Sequence, residues 1–429
     1  MTTGLGHLIV SGRWDNTVAI VDIERALAPG NSGTSNAIIS RPRVTPDVDT
    51  NGDGVADAWA SGQPIIVAVD KDARFAYIVN HSGTATPEAA ASYQHGHTGL
   101  ITVVDLAEAC NPIHNGTLGA VAAFIPTGRT GPTGCGFSPD DRLLLVNCGE
   151  AAGSEDGGDE VTAIHLATRQ VVKRIALSET PGHAAPGPSC HNSPHPSFGR
   201  YANPTGMAIS PLKGGLMFVG NGGVSDVSVF DLKAALAGDA RAEVGRVPIE
   251  TGPFGLAVSP DGRLVAAAAR ESMAVAYEGK TISIIDVERA SVGAKDAEVA
   301  RVRVGSDDPN EQTRPFAVAF TPDGKRIVAS CFRSNTISFV DVADALAGRP
   351  AETLRLYPTA PNGAAARPRG ITMAAGRYAG VTGGAKSGPK SSLVWLLDLQ
   401  NGRIVSTITE VGNESYFLDA IPATAASPG

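Results

Sequence analysis

Apolar and polar residues alternate with a period of two in short runs along the whole chain, and the runs come in matched pairs. Seven of them close on Asp or His: TVAIVDI (17–23), GLITVVDL (99–106), VTAIHL (161–166), DVSVFDL (226–232), TISIIDV (281–287), TISFVDV (336–342) and SLVWLLDL (392–399). A partner run precedes each: HLIVSGR (7–13), FAYIVNH (75–81), LLLVNC (143–148), LMFVGN (216–221), LVAAAAR (264–270), RIVASCF (326–332) and RYAGVTG (377–383). Period-two alternation with β-branched residues and short polar connections predicts antiparallel strands.

Ahead of the partner runs lie small-residue segments that end in Pro-Asp-Gly type turns. GCGFSPDDR (134–142), GMAISPLKG (206–214), GLAVSPDGR (255–263) and AVAFTPDGK (317–325) are clear, while IVAVDKDAR (66–74) and GITMAAGR (370–377) are degenerate copies. Pro sets φ and Gly or Asp tolerates the turn. Small residues suit strands that crowd toward an axis. The units recur about fifty to seventy residues apart, too long for helical solenoids and suited to four-stranded blades. Seven second and seven third strands predict an all-β, seven-bladed β-propeller forming one domain over 1–429. The first blade starts at its second strand, so its inner strand must come from elsewhere; YFLDAIP (416–422) has the length and character to supply it and close the ring.

Strands such as FAYIVNH and segments such as NTVAIVD (16–22) and NTISFVD (335–341) resemble the YVTN type of seven-bladed propeller over nearly the whole chain. The resemblance implies the fold. It spans surface-layer proteins, lactonase-like enzymes, haem enzyme domains and copper enzymes, so the chemistry has to be read from the site.

Composition narrows the choices. The chain has 429 residues and a formal charge of -8, without the basic stripes that a phosphate backbone requires, so no nucleic-acid partner is expected. No apolar run approaches the ~20 residues of a membrane span. MTTGLGHLIVSGRWDN runs straight into a strand without secretory-signal features, which fits a cytosolic chain or a mature exported one. Five cysteines without regular spacing fit a mostly reduced protein, and the absence of CxxCH excludes covalent c-type haem. The 50 Gly and 29 Pro punctuate strands rather than cluster, so they are turn chemistry and not disorder.

In a propeller, the loops from second to third strands and from outer strands to the next blade open on one face. The long insertions 45–63, 81–98 and 178–204 sort there, as do 149–159, 270–280, 306–315, 359–369 and 383–391. So do six of the nine histidines. His95-Gly-His97, and Cys190-His191 with His195, offer imidazole and thiolate ligands suited to zinc, copper or iron. Solvated loop histidines are the plainer reading of each residue taken singly. Arg13, Arg270 and Arg333 end or follow second strands, and Arg314, Arg367 and Arg369 lie in loops leading to inner strands. They can fork over a carboxylate or phosphate, or bridge to Asp15, Glu150, Glu271 or Asp307.

DVDTNGDGVAD (47–57) alternates Asp47, Asp49, Asn51, Asp53 and Asp57 with turn glycines. It resembles the calcium loops of dockerin and thrombospondin type 3 repeats, with oxygen ligands at every second position. It departs from an EF-hand at position twelve, which is Ala60; an acidic turn is the alternative. Cys148 and Cys331 read as packing residues, and His165 as a structural hydrogen-bond partner.

The functional expectation is a metal-assisted enzyme, hydrolase or lactonase-like first and lyase or copper oxidase next, acting on a small anionic molecule. Arg13, Arg270 and Arg333 would hold the substrate, and His81 or Glu150 would serve as base. The alternative is a non-catalytic scaffold that binds a protein or ligand on the decorated face.

Overall fold

The computed structural model describes residues 4–49, 51–81, 98–149, 158–178, 202–271, 277–360, 363–384 and 391–423. The chain is a seven-bladed β-propeller of four-stranded antiparallel sheets. It divides into two compact units, residues 1–132 with 358–429, and residues 133–357. No helix among the described residues is long and apolar enough to cross a membrane.

The first unit holds blades 1, 2 and 7. Blade 1 is built from His7–Gly12, Thr17–Asp22 and Ile38–Ser40, and its innermost strand is Leu418–Ile421 from the far end of the chain. His7 through Val10 pair with Ile421 through Leu418, as the missing-strand argument requires. Blade 2 comprises Pro64–Val69, Phe75–Asn80, Thr98–Asp105 and Val121–Thr130; blade 7 comprises Ile371–Ala374, Tyr378–Gly384, Ser392–Asp398 and Arg403–Thr409. Strand Leu418–Ile421 packs against the inner strands of both neighbours. The half-buried Asp419 carboxylate links all three, accepting from the Val69 amide at 2.8 Å and the Thr372 hydroxyl at 3.0 Å.

The second unit holds blades 3 to 6. Their inner strands are Pro132–Phe137, Pro204–Ser210, Pro253–Val258 and Pro315–Phe320. Crowding of inner strands sets residue size here. A Cβ on Gly206 would stand 1.9 Å from the Phe254 carbonyl oxygen, and one on Gly255 would stand 2.5 Å from the Ala317 Cα.

The cores lie between neighbouring blades. Leu8, Val10, Ala19 and Val21 pack with Val394, Leu396 and Ile408, while Phe218, Val227 and Val229 pack with Val265, Ala267 and Ile285. Each fully buried Val, Leu, Ile or Phe stabilises by roughly 1.5 to 3 kcal/mol, so the period-two pattern carries the fold.

The recurrent Asp at the end of each third strand has a defined task. Asp22, Asp105, Asp231, Asp286 and Asp341 cap the short helices Ile23–Leu27, Leu106–Ala109, Leu232–Ala237, Val287–Ala290 and Val342–Leu346 by accepting backbone N–H groups. His165 does the same work with Nδ1, which accepts from the Thr168 amide at 3.3 Å. The hairpin turns repeat as closely. Ser138, Ser259 and Thr321 each donate to the Asp two residues on at 2.6 Å, and that bond holds Asp140, Asp261 and Asp323 below the usual carboxylate range.

Candidate functional site

Arg13 follows the second strand of blade 1, His81 follows the second strand of blade 2, and Gln63 immediately precedes the inner strand of blade 2. Gln63 adopts φ +52° directly before Pro64, a left-handed conformation that costs a non-Gly residue of order 1 kcal/mol or more. It is 2% exposed. Its main-chain carbonyl accepts the His81 amide at 3.1 Å, and its side-chain Oε1 accepts Arg13 Nε at 3.1 Å and Arg13 Nη2 at 3.0 Å. One strained residue thus touches both.

His81 is 9% exposed, and its Nδ1 lies 3.3 Å from the Pro132 carbonyl oxygen. A carbonyl only accepts, so Nδ1 carries the proton and the lone pair is on Nε2. Burial, then the nearby Arg13 charge, lowers the imidazole pKa to about 4 against the opposing effect of the Pro132 bond. The ring is neutral at pH 7.

The segment leading to the closing strand completes this group. Arg13 donates to the Tyr416 hydroxyl at 2.8 Å and stands 3.5 Å from Glu414, with its guanidinium over the rings of Trp14 and Tyr416 at 4.8 and 4.9 Å. Glu414 also accepts the Trp14 indole N–H at 2.5 Å and lies 3.4 Å from Arg369. Arg369 is 1% exposed, and its guanidinium donates to the carbonyls of Gly384 and Ser415. Burial lowers its pKa, while Tyr416 and Glu414 act in the opposite sense.

Arg270 and Arg333 meet in the second unit, through partners. Arg270 pairs with Glu271 at 2.6 Å; Arg314 bridges Glu271 at 2.5 Å and Glu278 at 2.9 Å; Arg333 grips Glu278 at 2.6 and 2.7 Å. Arg270 lies over the rings of Phe254 and Phe316, and Arg314 over Phe332. The bridging arrangement named from sequence is present for Glu271, and Asp307 pairs with Arg355. Glu278 was not anticipated.

The transition-metal candidates His95, His97, Cys190, His191 and His195, and the candidate base Glu150, lie outside the described residues. Among the described residues, no three His, Cys, Asp or Glu side chains are grouped so that they could hold a metal ion. In the 47–57 segment, Asp47–Val48 pairs with Ala58–Trp59 as a two-stranded ribbon. Asp49 accepts the amides of Asn51, Gly52 and Gly54, Asn51 accepts that of Asp53, and Asp53 accepts that of Val55. Those bonds, led by Gly54, lower the Asp49 pKa. Asp47 pairs with Arg43 at 2.7 Å, and Asp57 donates its amide to Val48 O.

Cys148 and Cys331 are buried thiols, and burial raises Cys331 to about 12, which suits packing rather than nucleophilic attack.

Sequence reasoning overlooked Gln63, Glu414 and Tyr416. The available signal was the residue-Pro step opening the inner strands: Gln63-Pro64, Asn203-Pro204 and Arg314-Pro315 place non-Gly residues at φ +52°, +48° and +52°.

No family model matches the chain, and no curated protein matches its sequence. Solved structures do share the fold. The periplasmic gluconolactonase of Pseudomonas aeruginosa superposes with a TM-score of 0.63 at 16% identity, covering 97% of this chain and 99% of its own. A functionally unknown protein from Desulfotomaculum acetoxidans gives 0.58 at 12% identity, with 96% and 98% covered. Hydrazine synthase from Kuenenia stuttgartiensis gives 0.52 at 20% identity, with 82% and 80% covered. The fold is therefore one that enzymes use.

Proposed function

We propose that this propeller is a hydrolase that opens a lactone or ester of a small anionic organic acid, with His81 as general base and Arg13 as the group that holds the anion. The observation that carries the reading is a buried imidazole with its lone pair on Nε2, tied to the Arg13 guanidinium through Gln63, whose carbonyl accepts the His81 amide and whose side chain accepts Arg13. The gluconolactonase fold likeness supports the reaction class.

The chemistry follows from those two groups. Nε2 takes a proton from water as the water oxygen adds to the carbonyl carbon, and the C–O bond to the leaving oxygen then breaks. The leaving alkoxide takes the proton back from Nε2. A base of pKa about 4 is weak at neutral pH. Seating a negative charge on Arg13 opposes the guanidinium's contribution to that lowering, so an anionic substrate improves its own base.

The test is hydrolysis of matched neutral and carboxylated or phosphorylated aldonolactones. His81→Gln is expected to lower kcat/KM by about 10²- to 10⁴-fold with the fold intact by circular dichroism, and the anionic member of each pair is expected to be preferred. Absence of hydrolysis of any lactone or ester by the intact chain would overturn the reading and favour a binding scaffold.

A further inference from the structure

The ring-closing segment is pinned at two points before its strand pairs with blade 1. At the first, the Asn413 carbonyl accepts the Trp14 amide at 3.2 Å, and the Asn413 amide donates to Asp15 Oδ2 at 3.1 Å. At the second, the Ser11 amide and hydroxyl donate to the Phe417 carbonyl at 3.0 and 2.9 Å. Between the two points lie Glu414 and Tyr416, which touch Arg13. Holding Asn413 in place therefore holds both of them against Arg13.

Hydrogen-bond donors run short at the first point. Asp15 Oδ1 and Asn413 Oδ1 are both buried, and neither accepts a hydrogen bond. An ionised carboxylate only accepts and so adds no donor there, whereas a protonated one supplies an O–H. The carboxyl is also tightly seated, since a Cβ on Gly12 would collide with its Oδ1. A buried carboxylate oxygen without a partner penalises the charged form. Burial accordingly raises the Asp15 pKa, against the opposing effects of the Thr17 hydroxyl, the Arg41 charge and the amides of Asn413 and Asp15. Arg41 is the charged group that faces Asp15, and Glu410, on the closing side, acts on Arg41 in turn.

We infer that Asp15 is a proton-operated latch on the ring-closing segment: with a proton on its carboxyl the stretch carrying Glu414 and Tyr416 is held more firmly, and with the carboxyl ionised it is held less. The direction follows from linkage. The closed segment keeps a proton that the frayed one releases, so the latch gains strength as pH falls through the raised closed-state value and loses it as pH rises through that value. The inference stands on the geometry at Asp15 and Asn413 and does not rest on the hydrolase reading.

Hydrogen exchange of the backbone amides from 411 to 421, expressed as protection factors between pH 8 and 4.5, reads the latch directly. In the intact chain protection is expected to rise several-fold as pH falls. In Asp15→Asn, which carries no charge at any pH, it is expected to be high at pH 8 and to gain nothing from acid. The His81 titration is common to both chains, so the difference between their profiles isolates Asp15. Asn413→Asp places a second carboxyl opposite the first, and two carboxyls at one contact share a proton, so its rise is expected at higher pH than in the intact chain. Intact and Asp15→Asn profiles that run parallel, or an Asp15→Asn segment looser than the intact one at pH 8, overturn the latch. Should Asp15→Asn fail to fold, the Asn413→Asp profile decides, and a rise at the unshifted pH overturns it. Each result stands whether or not the chain hydrolyses a lactone.

Discussion

The His81 side chain makes stability depend on pH. Its folded pKa of about 4 lies below the ordinary 6.5, so between those values the unfolded chain binds more protons than the folded one. Stability contributed by keeping the ring neutral is complete above pH 6.5 and falls as pH drops toward 4, by about 3 kcal/mol in all. His81→Gln should flatten that part of the stability curve in urea melts at pH 7, 6, 5 and 4; an unchanged slope would place the loss elsewhere. Asp398 runs in the same sense, in a more acidic window. Bonding to Arg377 first, and then to Asn401 and the Gln400 amide, holds it well below the usual carboxylate range, so it stabilises above about pH 4 and ceases to as pH falls through its folded value. Asp398→Ala should cost roughly 2 kcal/mol at pH 7 by the same melts.

At the scale of strands and turns, much was legible because the determining partners are close in sequence. A Thr or Ser with Asp two residues on, or an Asp that ends a strand before a helical turn, bonds within five residues. The pairing of Leu418–Ile421 with His7–Gly12 spans the chain, yet it was legible from a vacancy, since one blade lacked an inner strand. The Arg13 cluster was not legible to the same degree. Arg13 meets Gln63 across 50 positions and Tyr416 across 403, and neither residue type announces such a meeting. The calcium-type pattern at 47–57 was read as an alternation of ligands, whereas Asp49 and Asp53 also close the turn on their own amides. Deleting residues 414–429 should strip blade 1 of its inner strand, with aggregation or a large fall in Tm as the expected result. A truncated chain melting with the full one would show that the strand contributes little.

For the molecule as a whole, the fold follows from a repeated pattern. The metal expectation is decided by elemental analysis of the purified protein: a stoichiometric transition metal, lost in His95→Ala with His97→Ala at unchanged Tm, is the predicted outcome, and its absence would overturn that expectation. The blade corners carry a wider consequence. Gln63, Asn203 and Arg314 occupy the same left-handed step before proline with an amide in two cases and a guanidinium in the third, and the main chain is alike in all three. Such a corner is a socket with a fixed mount, into which a single codon change inserts a different charge without redrawing the backbone.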